Sequence, residues 1–124
     1  MMSSYSISKS QREQISQVLK ERILSGQKKV AEIRASLTQR SESVEDNELA
    51  SRAEEQSLLV VEIRRLNEDV NRCMIALRRG DEIGYCDSCG DDVAFERLSI
   101  NPAAIRCVSC ETLEGYRAKH YRAA

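Results

Sequence analysis

Four cysteines place the tightest constraint on what this chain can fold into: Cys86 and Cys89, then Cys107 and Cys110, in the spacing C-x2-C-x17-C-x2-C. Each C-x-x-C presents two thiolates together. The intervening loop is long enough to bring both pairs around one tetrahedral zinc at about 2.3 Å per bond. Four thiolates fill the tetrahedron and leave no position for water or substrate, so the expected role is one structural zinc per chain and not a catalytic one. The alternatives for the same residues are two redox dithiols or two disulfides. A disulfide framework belongs in a secreted chain, and residues 1–25 hold no apolar stretch of the signal-peptide kind. A thioredoxin-like C-x-x-C needs a βαβ context, which the pattern lacks. Reduced, metal-holding thiols imply a cytoplasmic protein.

Composition limits the rest of the molecule. In 124 residues, 31% are charged, with one Phe, no Trp and one Pro, too little apolar material for a large globular core. An elongated shape is expected. No apolar run approaches the roughly 20 residues of a membrane span. Nineteen basic against twenty acidic residues give no overall field to draw the chain onto DNA or an anionic membrane.

Residues 1–9 are polar and serine-rich and read as a flexible arm. Ser10-Gln11-Arg12-Glu13 has the form of a capping box at a helix start. Leu19, Ile23, Val30, Ile33 and Leu37 then recur at about 3.5-residue spacing, with Gly26 at one seam position, read as a weak spot rather than a bend or a close contact. Periodicity lapses in a polar turn over 41–48. It resumes as Leu59, Ile63, Leu66, Val70, Cys73 and Leu77, closed by Arg78, Arg79 and Gly80 as terminal charge and cap. Two matching seams joined by a short turn specify an antiparallel two-helix coiled coil over 10–80. Cys73 reads as a small buried hydrophobe and not a fifth ligand.

Residues 81–124 form the second unit, a small four-cysteine finger domain with a C-terminal helix. Gly90 is placed to take a positive φ at the first knuckle. Val93 and Phe95 alternate as in a short strand, Asn101-Pro102 makes a turn, and Cys110 to Arg122 reads as a helix with Leu113 and Tyr116 on one face. His120 is read as a surface residue. The fold class is thus mainly α: a coiled-coil hairpin plus a zinc finger.

No nucleophile–base pair, phosphate loop or acid–base set accompanies the cysteines, so no enzyme is expected. The spacing also suits a GATA-type DNA-binding finger, but residues 81–124 carry five basic groups against eight acidic ones, which would repel phosphate. The remaining signal is the turn, with Glu42, Glu45, Asp46 and Glu48 clustered, weighed against an ordinary solvated loop with acids at a helix start.

The helical hairpin followed by Gly84-Tyr85-Cys86-Asp87-Ser88-Cys89-Gly90 and by Arg106-Cys107-Val108-Ser109-Cys110-Glu111-Thr112-Leu113 resembles the DksA/TraR family of bacterial RNA polymerase-binding transcription factors. That resemblance implies a protein that inserts its hairpin into the polymerase secondary channel, touches no DNA and alters promoter-complex stability; a monomer is expected. The family's tip pattern D-x-x-D-x-A falls on Glu45, Glu48 and Ala50, with Asp46 a further carboxylate; both matched acids are one methylene longer than in the pattern. Positions that contribute basic groups to binding the alarmone ppGpp fall on Arg72, Asn101 and Glu111, one basic, one neutral and one acidic, so ppGpp synergy is expected to be weak or absent. Two competing classes are a coiled-coil zinc adaptor with an inert tip, docking some other protein, and a redox or zinc sensor.

Overall fold

Helix α1 (Lys9–Glu42) begins where a serine can satisfy the orphan amides of a first turn. The structure, a computed structural model, describes residues 7–42 and 49–121, with backbone alone at 40–42, 49–52 and 116–121. Ser8 Oγ accepts from the Gln11 amide at 3.1 Å, and the Ser8 amide donates to Gln11 Oε1 at 2.9 Å. This is a reciprocal capping box, two residues ahead of the Ser10–Glu13 expected from the sequence. Helix α2 (Leu49–Arg78), a 3-10 turn (Gly80–Glu82), α3 (Phe95–Ile100) and α4 (Val108–Tyr121) follow. None of the described helices is long and apolar enough to cross a membrane.

The chain divides into two packed units. In Glu21–Met74, segments of α1 and α2 run antiparallel along the expected seams: Ile23, Val30, Val70 and Cys73 are buried, and Ile33, Leu37, Leu59, Ile63 and Leu66 are half-buried. The register follows from which side chains sense each other. Gly26 lies against Val70, Arg22 acts on Cys73, and Lys29 acts on Glu62, so α2 positions fall as α1 positions rise. Glu62 accepts from Arg65 at 2.7 Å, a bond that holds its carboxyl below the usual range against the opposing effect of burial. Cys73 is 1% exposed, and burial pushes its thiol up, as for a small apolar residue.

Gly26 is not a mere weak spot. A Cβ on it would lie 2.5 Å from Val70 Cγ2, so at this position the α1 backbone lies directly against a side chain of the facing helix. Val70 is β-branched and buried, and has little rotamer freedom with which to withdraw.

The other unit, Met1–Lys20 with Ile75–Ala124, is centred on Ile7, Ile15, Leu19, Ala76, Ile83, Val93 and Leu98. Ile7, inside the segment read as an arm, is buried. It packs on Gly84, whose φ of 100° favours glycine and on which an added Cβ would lie 2.7 Å from Ile7 Cδ1, too close to be accommodated. The Arg12 guanidinium Nε donates to the Ile83 carbonyl at 3.0 Å, and these two contacts decide where α1 starts. The expected strand through Val93 and Phe95 does not form. Pairing stops at a single antiparallel bridge, Tyr85 with Asp92, and Phe95 opens α3 instead, with Ala94 as its extended N-cap. Helix α4 starts at Val108, two residues before Cys110, and Leu113 is 48% exposed rather than packed.

Replacing Gly26 with Ala adds helix propensity of about 1 kcal/mol but overpacks the contact at a cost of about 1–3 kcal/mol. The expected net result is a lower midpoint in thermal melts followed by circular dichroism, with Gly26→Ala/Val70→Ala losing less than the two single changes added together.

Candidate metal centre

The first knuckle, Cys86 to Cys89, is a turn that aims backbone amides at its sulfurs. Cys86 sits beside the Tyr85–Asp92 bridge, where its amide donates to Asp91 O, and the Gly90 amide returns to Cys86 O at 3.0 Å to close the turn. Gly90 takes a φ of 80°, as the sequence suggested. The Asp87 amide donates to Ile105 O at 2.7 Å and thereby lays the approach to the second cysteine pair beside the first. The Cys107 carbonyl accepts from the Glu111 amide at 2.9 Å as α4 begins, which puts Cys110 in that helix's first turn.

The four Sγ atoms of Cys86, Cys89, Cys107 and Cys110 all lie within 4.8 Å of one another. Cys89 Sγ and Cys107 Sγ are 3.8 Å apart, the edge of a tetrahedron whose centre-to-sulfur distance is about 2.3 Å. Cys73 is not part of the cluster. Burial pushes the Cys86 thiol up, but amides of Cys107, Cys89 and Ser88 more than offset this and bring it to about 6. Cys89 accepts from the Asp91 amide and is helped by Cys110, yet the sulfurs of Cys86 and Cys107, with burial, leave it raised. Cys110 is pushed up to about 12 by the sulfurs of Cys107, Cys89 and Cys86. The Cys86 thiolate is stabilised while those of Cys89 and Cys110 are suppressed, the behaviour of crowded sulfurs that need a shared divalent cation to ionise together. All four sulfurs fit zinc, and when bound it supplies structural cross-linking, with no coordination position left over.

Arginines complete the finger. Arg79 Nη2 donates to Tyr85 O at 2.7 Å and Nη1 reaches Ile105 O at 3.5 Å, while Nε stands 4.0 Å from Asp87 Oδ1. Arg97 Nε donates to Arg106 O at 3.2 Å, and Arg106 Nε to Ser88 Oγ at 3.3 Å. Sequence reasoning read Arg79 as helix-terminal charge and counted Arg97 and Arg106 only among the five basic groups of 81–124. Their use as donors removes further cations from any phosphate contact. Only the adjacency of Arg106 to Cys107 and of Arg79 to the Gly80 cap hinted at it.

The other anticipated residues are dispersed. Glu45, Asp46 and Glu48 lie outside the described residues, and Ala50 is in the first turn of α2 with its side chain undescribed. Arg72 is exposed on α2 in the Glu21–Met74 unit, 3.9 Å from Glu68. Asn101 caps α3 in the other unit, where Glu111 faces Arg106 at 3.7 Å. His120 lies in α4 with an undescribed side chain.

The sequence profile of the prokaryotic dksA/traR C4-type zinc finger matches residues 82–114, which include all four cysteines. The finger over residues 82–114 is therefore of the dksA/traR C4 type. It is 44% identical over 39 residues to the RNA polymerase-binding transcription factor DksA of Haemophilus influenzae, a stretch covering 32% of this chain and 27% of that one. For Escherichia coli (strain K12) DksA the figures are 41% over 39 residues, 32% and 26%. Buchnera aphidicola DksA is 33% identical over 72 residues, 56% of this chain and 48% of the relative. The matched part thus spans about a quarter to a half of these curated relatives. In fold, the chain is similar to transcription factor DksA2 from Pseudomonas aeruginosa, with a TM-score of 0.80 and 20% identity over 90% of this chain and 88% of that one.

Zinc must displace the protons that Cys89 and Cys110 hold near neutral pH, so affinity rises with pH. Each displaced proton costs about tenfold in apparent affinity per pH unit, so a site that sheds at least two loses roughly 100-fold or more from pH 8 to pH 7, measurable by competition with a chromophoric chelator. A dependence of tenfold or less would contradict the site as described.

Proposed function

We propose that this protein is an RNA polymerase-binding transcription regulator which inserts its coiled-coil hairpin into the polymerase secondary channel and modulates promoter-complex stability through the acidic turn. The observation that carries the reading is the pairing of a dksA/traR-type finger with a DksA2-like fold over 90% of the chain. The curated relatives that match the finger are named as RNA polymerase-binding transcription factors. In this reading the zinc finger is structural, the chain is a cytoplasmic monomer without enzymatic activity, and polymerase rather than DNA is the partner. Five basic against eight acidic residues over 81–124 support the exclusion of DNA, since phosphate recognition requires clustered cations.

Glu45, Asp46 and Glu48 are the proposed effector carboxylates, presented near the polymerase active centre, with Ala50 completing the matched pattern. At the counterparts of the ppGpp-binding positions, Glu111 is negative and Asn101 neutral, and Arg72 alone is cationic. A highly anionic nucleotide gains little there, so the proposed regulation is intrinsic, with weak or no ppGpp synergy.

Tagged protein should recover polymerase subunits from bacterial lysate. The double change Glu45→Gln and Glu48→Gln should leave that recovery nearly intact and abolish the effect on transcription in vitro. Activity that survives loss of all the turn acids, Asp46 included, rules the mechanism out. At a stringently controlled promoter, added ppGpp should change the effect less than twofold; strong synergy refutes the intrinsic mode.

A further inference from the structure

In a finger of this kind the metal is the obvious tie between the two cysteine pairs, but a second tie spans the same gap. Arg79, the residue after α2, has a side chain only 13% exposed, and its planar guanidinium is divided between both knuckles. On the first it holds the carbonyl of Tyr85, immediately before Cys86, at 2.7 Å, and stands near the carboxylate of Asp87, immediately after it. On the second it reaches the carbonyl of Ile105, two residues before Cys107, at 3.5 Å. That carbonyl also accepts the Asp87 amide at 2.7 Å, so the fork and a backbone bond converge on one oxygen.

We infer that Arg79 is a positioning residue for zinc: by bridging the backbone on both sides of the loop it holds the two cysteine pairs in register and slows release of the metal without touching it. The chemistry requires an arginine. A guanidinium offers several donors in a fixed plane and can serve two carbonyls and a carboxylate at once, whereas a lysine ammonium is a point donor on a flexible stem. Without the fork, dissociation of one cysteine pair from zinc frees the loop between the pairs, and re-closing it costs conformational entropy. Groups that orient metal ligands from outside the coordination sphere typically change metal affinity by about 10–100-fold when removed.

The test is zinc transfer from the full-length, zinc-loaded protein to excess chromophoric chelator, alongside cobalt substitution, whose thiolate-to-metal absorption reports tetrahedral four-sulfur ligation. Arg79→Met should release zinc about tenfold faster while keeping the helical circular dichroism and the cobalt band positions of the parent. Arg79→Lys, which keeps the charge and the apolar stem and therefore tolerates the same site, should fall between the two. Asp87→Asn should change release less than twofold, because its ion pair is long and 55% exposed on the aspartate side. Unchanged release in both Arg79 variants would overturn the inference. So would a lysine variant equal to the parent, or an Asp87→Asn effect as large as that of Arg79→Met, since either would assign the effect to charge and not to the bridging fork.

Discussion

Four sulfurs gathered within 4.8 Å of one another cannot all carry charge unless a cation lies among them. That constraint organises the finger. Amides of Ser88, Cys89 and Cys107 stabilise the one favoured thiolate, Cys86, and positive-φ glycine at Gly90 turns the knuckle so that its amides can do so. Around the cluster, carbonyls that no strand or helix uses are taken up by arginines, which is how so short a module, with one bridge and no extended sheet among its described residues, satisfies its backbone. The same donors bind the finger to the first turn of α1 through Ile83 and to the end of α2 through Tyr85, so the metal site and the helix ends within that unit form one hydrogen-bonded network.

The helical hairpin rests on a different constraint. Its seam contains no aromatic residue, and at Gly26 the backbone of one helix lies against a valine of the other. That close approach leaves little tolerance for added volume at Gly26. On the surface, ion pairs such as Glu62–Arg65 are exposed, and their contribution is small beside that of the seam. This division suits the proposed function: the chemistry of the metal ends at the finger, and the segment between α1 and α2 is rich in carboxylates by sequence.

The seams were legible because a 3.5-residue repeat of apolar side chains suits little besides a helix packed on a helix, and the cysteine spacing because two thiolate pairs at that separation suit one zinc. Features set by contacts distant in sequence were not. Ser8–Gln11 and Ser10–Glu13 satisfy the same capping pattern; burial of Ile7 on Gly84 and the Arg12 bond to Ile83 select the first. Val93 and Phe95 alternate like a strand, but no partner extends beyond the Tyr85–Asp92 bridge, and a helix begins where the pairing ends. Gly26 gives the same letter whether it weakens a helix or admits a neighbour, and only the position of Val70 distinguishes the two. The arginines were counted as charge because a sequence does not reveal which carbonyls lack a donor.

The proposed function is that the segment between α1 and α2 acts on polymerase while the zinc finger is structural. Site-specific photocrosslinking tests this most directly, with a photoreactive amino acid at position 44 in the turn and, in parallel, one at Ile100, an 83% exposed residue of the finger unit. The account predicts crosslinks from position 44 to polymerase segments lining the secondary channel close to the active centre, competed away by unlabelled protein. Crosslinks from Ile100 alone, or from neither position while the protein still co-purifies with polymerase, would contradict it.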